Sequence, residues 1–445
     1  MANEWPKAKI GDVCLRVTKG TTPTTGGGAF SKSGIKFIKV EAITESGGFI
    51  PEKFAFIDAE TDEKLARSRL IEDDILFTIA GTIGRVAQVT SAVLPANTNQ
   101  AVAIVRPNRD AIYPRFLYYT LRDSNRIQLA QSKVVQSVQA NFSLGELSAI
   151  ELPLPSQTEQ RAVAHILGTL DDKSELNRKQ SETLEAMARA LFKAWFVDFE
   201  PVRAKLEGRW RRGESLPGLP AHLYDLFPDR LVESVLGEIP EGWEVQPLSE
   251  VLTIIGGGTP KTSVEEYWGG DIPWFSVVDT PSASDVFVVA TEKSITKKGL
   301  ASSSARLIPK GTTIISARGT VGNLAIAGRE MTFNQSCYGL RGTGNVGDYF
   351  VYLTAQQMVG QLKSMAHGSV FSTITRQTFE AIQRPVPPPG VLASFEESVA
   401  VWFDSILSSV EESRTLAQLR DTLLPMLISG ELRVPDAERI VGVAV

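Results

Sequence analysis

Residues 254–263 read IIGGGTPKTS, close to the G-x-x-x-x-G-K-[ST] loop whose glycines wrap a nucleotide phosphate and whose lysine reaches it. Pro260 stands where the last glycine belongs. Proline fixes φ and has no N–H, so it cannot complete that cradle. Metal chemistry has no better footing. His165, His222 and His367 are scattered without ligand spacing, and Cys14 and Cys337 are too few for a zinc site or a disulfide framework. The stretch IDAETDEK (57–64) sets carboxylates beside a lysine, as a metal nuclease would, but its charges read as a solvated loop. A base-modifying methyltransferase of the amino class needs a [DNS]-P-P-[YFW] loop to grip a flipped base. None occurs, and Pro387, Pro388 and Pro389 lack that context. No catalytic centre emerges from these residues, which leaves binding.

The elements that carry the remaining candidates come from a duplicated chain. Its 445 residues exceed what one core supports, so several domains are expected. No apolar run reaches the ~18 residues of a membrane span, and the N-terminus MANEWPKAKIGDV lacks a signal pattern, so a cytoplasmic protein is expected. The net charge of −5 argues against holding nucleic acid by bulk charge and favours local basic patches. Trp5 and Trp243 open similar stretches 238 residues apart, and Gly20-Thr21 matches Gly258-Thr259 at the same offset. AGTIGRVAQV (80–89) matches RGTVGNLAIA (318–327). Asn99 and Asn334 then lie 235 apart, and Pro153 and Pro385 lie 232 apart. Order is kept while small deletions accumulate, which marks an internal repeat.

Each half opens with about 150 residues of short apolar stretches such as DDILFTIAG and TTIISARG, punctuated by turn residues and interrupted by helical pieces. The glycine-rich stretches near residues 20 and 257 come after a first strand and serve either as structural turns or as a backbone surface for phosphates. Each half then turns helical. Apolar positions spaced by 3 and 4 run Val163, Leu167, Leu170, Ser174, Asn177, Ser181, Leu184, Ala188, Leu191 and Trp195. The same register recurs from Phe395 to Leu427, broken at Arg420. From Val163 to Trp195 one helix spans about 48 Å. The polar middles, Asn177 and Ser181 against Ser409 and Ser413, are expected to meet in an antiparallel pair.

The predicted class is thus α+β: two pseudo-two-fold-related α/β recognition domains separated by an antiparallel pair of long helices acting as a coiled-coil spacer. The boundaries are 1–155 for the first domain, 156–207 for the central helix, 208–240 for a linker, 241–389 for the second domain and 390–445 for the C-terminal helix. Two similar heads on a rigid spacer suit the reading of two half-sites on DNA. In the linker, Arg209, Trp210, Arg211 and Arg212 form a basic-aromatic cluster that either touches phosphates or lies in solvent.

The stretch 152–208, LPLPSQTEQRAVAHILGTLDDKSELNRKQSETLEAMARALFKAWFVDFEPVRAKLEG, closely resembles the central helical region of specificity subunits of type I restriction-modification systems. GLPAHLYDLFPDRLVESVLGEIPEGWEV (218–245) is similar to the segment C-terminal to that region in one branch of the family. The resemblance implies a chain without catalysis or cofactor of its own. It implies two target-recognition domains on a bipartite double-stranded DNA site and helices that dock two methyltransferase subunits. Restriction/translocase subunits complete the assembly, with S-adenosylmethionine, ATP and magnesium on those partners. The alternative is a stand-alone architectural DNA-binding protein, and an enzyme comes third.

For DNA contact the repeat points to Arg85 and Arg318 at the paired turns, where arginine would bond guanine or phosphate. Thr21 and Thr259 flank the glycine loops, Lys36 and Lys39 alternate in IKFIKV, and Trp274 and Ser276 take the related place in the second half. Asn99-Gln100 and Asn334-Gln335 occur in both halves, which argues for a common structural task. For partner docking the candidates are Leu191, Phe192, Trp195, Phe196 and Phe199, with Leu423, Leu424, Met426 and Leu427 as counterparts.

Overall fold

A computed structural model describes residues 5–135, 142–281, 285–367 and 373–444. They fall into two compact units, Met1–Lys173 with Thr415–Val445, and Ser174–Arg414.

In the first unit, an antiparallel sheet runs in the order Cys14–Lys19, Val102–Pro107, Ile75–Thr78, Val86–Gln88. Ile75-Leu76-Phe77 is apolar throughout because both sheet faces are covered. Ile75 and Phe77 pack with Phe116, Val163 and Leu167, while Leu76 packs with Ile38 and Val89. A second sheet takes Phe30–Ser31, Ala55–Ile57, Ile35–Ile38 and Ala96–Thr98, the last pair parallel. Lys7–Lys9 pairs with Glu151–Pro153, which brings the two ends of the globule together just before the helix Gln157–Phe196.

The second unit repeats the plan. Leu252–Gly256, Cys337–Gly342, Thr313–Ser316 and Leu324–Ala327 occur in the same order, extended by Phe287–Val288. Lys293–Ile295, Trp268–Phe275 and Thr332–Phe333 form the smaller sheet, again with a parallel last pair. Glu244–Pro247 pairs with Gln383–Val386 ahead of the helix Pro389–Ser429. Pro389 opens that helix, where its missing N–H costs nothing.

The long helices divide between the units at residues 173/174 and 414/415. All twenty seam positions are buried or half-buried. In the second unit the helices run antiparallel, since Asn177 meets Glu412 and Ser413 while Phe192 and Trp195 meet Phe395. The Asn177 amide is buried and donates to Glu412 Oε2 at 2.6 Å and Ser413 Oγ at 3.3 Å. A buried polar pair of this kind fixes register. Asn177→Ala is expected to lower unfolding free energy by about 1–2 kcal/mol, because it strands a partner rather than removing both. An unchanged urea midpoint for the full chain would show that the bond contributes nothing.

Arg420, the break in the seam, belongs to the first unit, where its guanidinium donates to Asp171 Oδ1 at 2.6 Å and to Asp421 Oδ1 at 2.7 Å. The segment 208–240 is folded rather than an open linker. It carries a hairpin, Leu231–Ser234 with Gly237–Pro240, and buries Trp210, Leu219, Leu223, Phe227 and Ile239. Residues 59–64, read as loop, form a helix capped by Asp58, whose carboxylate accepts Thr61 N–H at 2.7 Å. Among the described residues no helix is long and apolar enough to cross a membrane.

Candidate nucleic-acid interface

The two glycine loops are built alike. A Cβ at Gly20 would lie 2.0 Å from the Thr98 carbonyl oxygen, and one at Gly257 would lie 2.1 Å from that of Asn334. Glycine is required there because the loop crosses close over its neighbouring strand. The near-match to a phosphate loop has this structural cause, and no α-helix comes directly after it: residues 257–264 are irregular or turn and lead into a single 3-10 turn, Glu265–Tyr267. Beyond the glycines, Thr22 donates its hydroxyl to Gln100 Oε1, and Thr259 does the same to Gln335. Asn99 Oδ1 accepts Ala101 N–H at 3.1 Å, and Asn334 Oδ1 accepts Ser336 N–H at 3.0 Å. The Asn-Gln pairs therefore hold the loops. The structural partner of Thr259 is Thr22, not Thr21, so the local offset is 237.

The paired turns also match in detail. Thr78 Oγ1 accepts Arg85 N–H at 2.8 Å, and Ser316 Oγ accepts Asn323 N–H at 2.8 Å. Asn323, not Arg318, is thus the counterpart of Arg85. The Arg85 guanidinium donates to Ile43 O at 3.0 Å and lies 3.3 Å from Glu45, so it is not free to read a base. Arg318 is exposed and has no side-chain partner among the described residues. Lys36 is likewise occupied, its ammonium donating to Ala92 O at 3.0 Å and Leu94 O at 3.4 Å. Lys39 is half-buried, 4.7 Å over the Phe30 ring and 3.9 Å from Glu41. Thr21 is half-buried and accepts from Arg67 at 3.4 Å. Trp274 is buried, with its indole N–H donated to Gly258 O at 2.9 Å, so it cannot reach DNA directly. Ser276 caps a short turn through Asp279 at 3.0 Å. The linker cluster is also largely consumed: Arg209 pairs with Glu200 and Glu207, Arg212 with Asp225, and Trp210 is buried.

Comparison with known proteins decides what this duplicated arrangement is. The type I restriction modification DNA specificity domain family matches residues 2–186 and 240–391. The chain belongs to the type I restriction-modification DNA specificity family. A type I restriction enzyme HindI specificity subunit of Haemophilus influenzae is 28% identical over 431 residues, covering 87% of this chain and 93% of its own. A putative MjaX specificity subunit of Methanocaldococcus jannaschii is 23% identical across 97% of this chain and 94% of its own. The type I S subunit from M. genitalium shares the fold, with TM-score 0.51 at 15% identity over 96% of this chain and 97% of that one.

As a specificity subunit the chain is a non-catalytic component. Burial pushes both the Cys14 and Cys337 thiols up to about 12, which keeps them protonated and poor as nucleophiles. Asp62 of the acidic stretch bonds Arg69 at 2.5 Å and Asn97 at 3.0 Å. No group of three His, Cys, Asp or Glu side chains could hold a metal among the described residues.

The aromatic docking candidates are spent inside the specificity subunit. Phe192, Trp195, Phe196 and Phe199 are buried against Phe350, Phe395, Phe227 and Trp243. Leu423, Leu424 and Leu427 are buried in the first unit's core, and Leu191 and Met426 are half-buried. Phe192, Phe196 and Phe199 fall outside the seam because they face the globule of their own chain. Sequence reasoning missed the exposed stripe Leu176, Thr183, Met187 and Ala190, with Leu176 58% and Met187 44% exposed. Its spacings of 7, 4 and 3 were a legible signal of one helix face.

Proposed function

We propose that each recognition domain reads one half of a bipartite double-stranded DNA site and that the continuous helices fix the gap between the halves. The observation that carries this is the duplicated sheet plan, in which two similar heads differ in their side chains: Arg318 is exposed, with no side-chain partner among the described residues, where the first domain places Ala80. Similar scaffolds with dissimilar surfaces suit dissimilar half-sites. Two methyltransferase subunits, which carry S-adenosylmethionine, are partners in this reading, and restriction/translocase subunits using ATP and magnesium complete the complex in the cytoplasm. Mapping methylated adenines made by the reconstituted complex tests it. A bipartite motif with unread base pairs between its halves is expected, and methylation at a continuous motif sinks the reading.

The docking surface moves from the buried aromatics to the exposed stripe of the first long helix, Leu176, Thr183, Met187 and Ala190, and to the hairpin tip, where Val235 is 87% exposed. Met187→Glu is expected to weaken capture of the methyltransferase subunit about tenfold, the order of one desolvated charge in an interface. The melting temperature of the chain should not change. Capture at wild-type affinity would place the interface elsewhere.

A further inference from the structure

The two domains share an aromatic ledge. Phe30 and Ile35 both oppose Ile57 across the small sheet of the first domain. Trp268 and Ile272 both oppose Ile295 in the second. On the parallel side, Phe37 faces Asn97 and Trp274 faces Thr332. The register therefore makes Phe30 equivalent to Trp268 and Phe37 equivalent to Trp274. Each pair packs edge to face, at 5.4 Å and 85° in the first domain and 5.1 Å and 84° in the second. The inner rings are buried, while Phe30 is 42% exposed and Trp268 is half-exposed.

Each ledge adjoins a cation, and in the second domain also the glycine loop. Trp274 donates to Gly258 O, and the Trp268 indole donates to Lys261 O at 3.3 Å. Lys39 Nζ sits over Phe30 in the first domain. In the second, Trp268 and Trp274 wall an open depression of about 450 Å³ whose rim holds Thr262, Glu292 and Lys293. Lys293 and Lys261 are exposed and have no ion pair among the described residues.

Side chains that differ between the heads suit the bases that differ between half-sites. Recurring side chains that stay partly exposed, unlike the Asn-Gln pairs spent inside their loops, suit what the half-sites have in common, the sugar–phosphate backbone. A ring with a neighbouring ammonium matches the apolar face of deoxyribose with its neighbouring phosphate. Both outer rings are already immobilised on a buried partner, so little side-chain freedom is lost on contact.

We propose that the equivalent rings Trp268 and Phe30, each beside a lysine supplied from a different position of its domain, Lys293 in the one and Lys39 in the other, grip the DNA sugar–phosphate backbone and set each domain's position without reading sequence. This rests on the assignment of the chain to DNA specificity. The test uses the complex of the full chain with its methyltransferase subunits, and titrates a cognate duplex and one scrambled in the second half-site at several salt concentrations. Trp268→Ala should weaken both duplexes about fivefold through lost apolar contact, with their ratio unchanged. Trp268→Phe should restore affinity, as phenylalanine serves in the first domain. Lys293→Ala should reduce the slope of log affinity against log salt by about 0.9, one phosphate's worth. A changed ratio between the duplexes would make Trp268 a base reader and overturn the proposal. So would unaltered affinity and salt slope, or failure of Trp268→Ala to assemble with methyltransferase subunits, which would make the ledge a protein-docking site. If the unsubstituted complex does not distinguish the two duplexes, the assignment of half-site reading itself fails, independently of the ledge.

Discussion

Trp195→Ala is expected to destabilise the second unit by about 3–5 kcal/mol, the range for deleting a fully buried large aromatic. Trp195 is 1% exposed, and its ring packs against Phe227 at 5.2 Å, Phe395 at 5.7 Å and Phe196 at 6.1 Å. Its indole N–H donates to Gly218 O at 3.2 Å, which ties the helix end to the 208–240 segment. Alanine removes the ring, opens a cavity and leaves that carbonyl without its donor. Lys193→Ala, on an exposed side chain two positions away, should cost less than about 0.5 kcal/mol. Guanidinium unfolding monitored by tryptophan fluorescence and by circular dichroism measures both. A Trp195 loss below about 1 kcal/mol would mean that this cluster is not what holds the segment to the helix.

The second large effect is at Asp171. Its carboxylate accepts from Arg420 at 2.6 Å, Arg122 at 3.1 Å and the Tyr119 hydroxyl at 2.8 Å. The arginine side chains are only 10% and 8% exposed. Asp171→Ala leaves two buried cations short of their shared partner and should cost about 3–5 kcal/mol. Arg420→Leu leaves Asp171 with Arg122 and puts an apolar residue into the seam, so it should be neutral or slightly stabilising. The comparison is one of midpoints in guanidinium at constant pH. Equal losses from the two substitutions would reject uncompensated charge as the cause.

The duplication, the sheet-rich halves and the long helices were legible because each leaves a periodic or repeated trace. Alternating and 3–4 spaced apolar residues had to be buried, and the apolar seam positions avoid full exposure for that reason. The polar middle was also legible, since Asn177 and Ser413 both sit on the polar stretch of their seams and meet in the antiparallel pair. Individual contacts were not legible. Arg85 and Lys36 look like free cations in sequence, but distant backbone carbonyls occupy both. Trp274 looks like a surface aromatic in an alternating strand, yet a parallel neighbour and a glycine loop cover it. The equivalence of Phe30 with Trp268 could not come from spacing, because their loops differ in length by one residue and only the shared opposition to Ile57 and Ile295 aligns them.

The short ladders Lys7–Lys9 with Glu151–Pro153 and Glu244–Pro247 with Gln383–Val386 have an evolutionary consequence. Each globule begins and ends at one doorway, immediately before a helix. Recombination at the two points of the gene that encode a ladder's strands, distant in sequence but adjacent in the fold, can therefore trade a whole globule as a cassette while the helices keep their sequence. New specificities can arise by inheritance of intact parts, with no need to rebuild the rest of the chain.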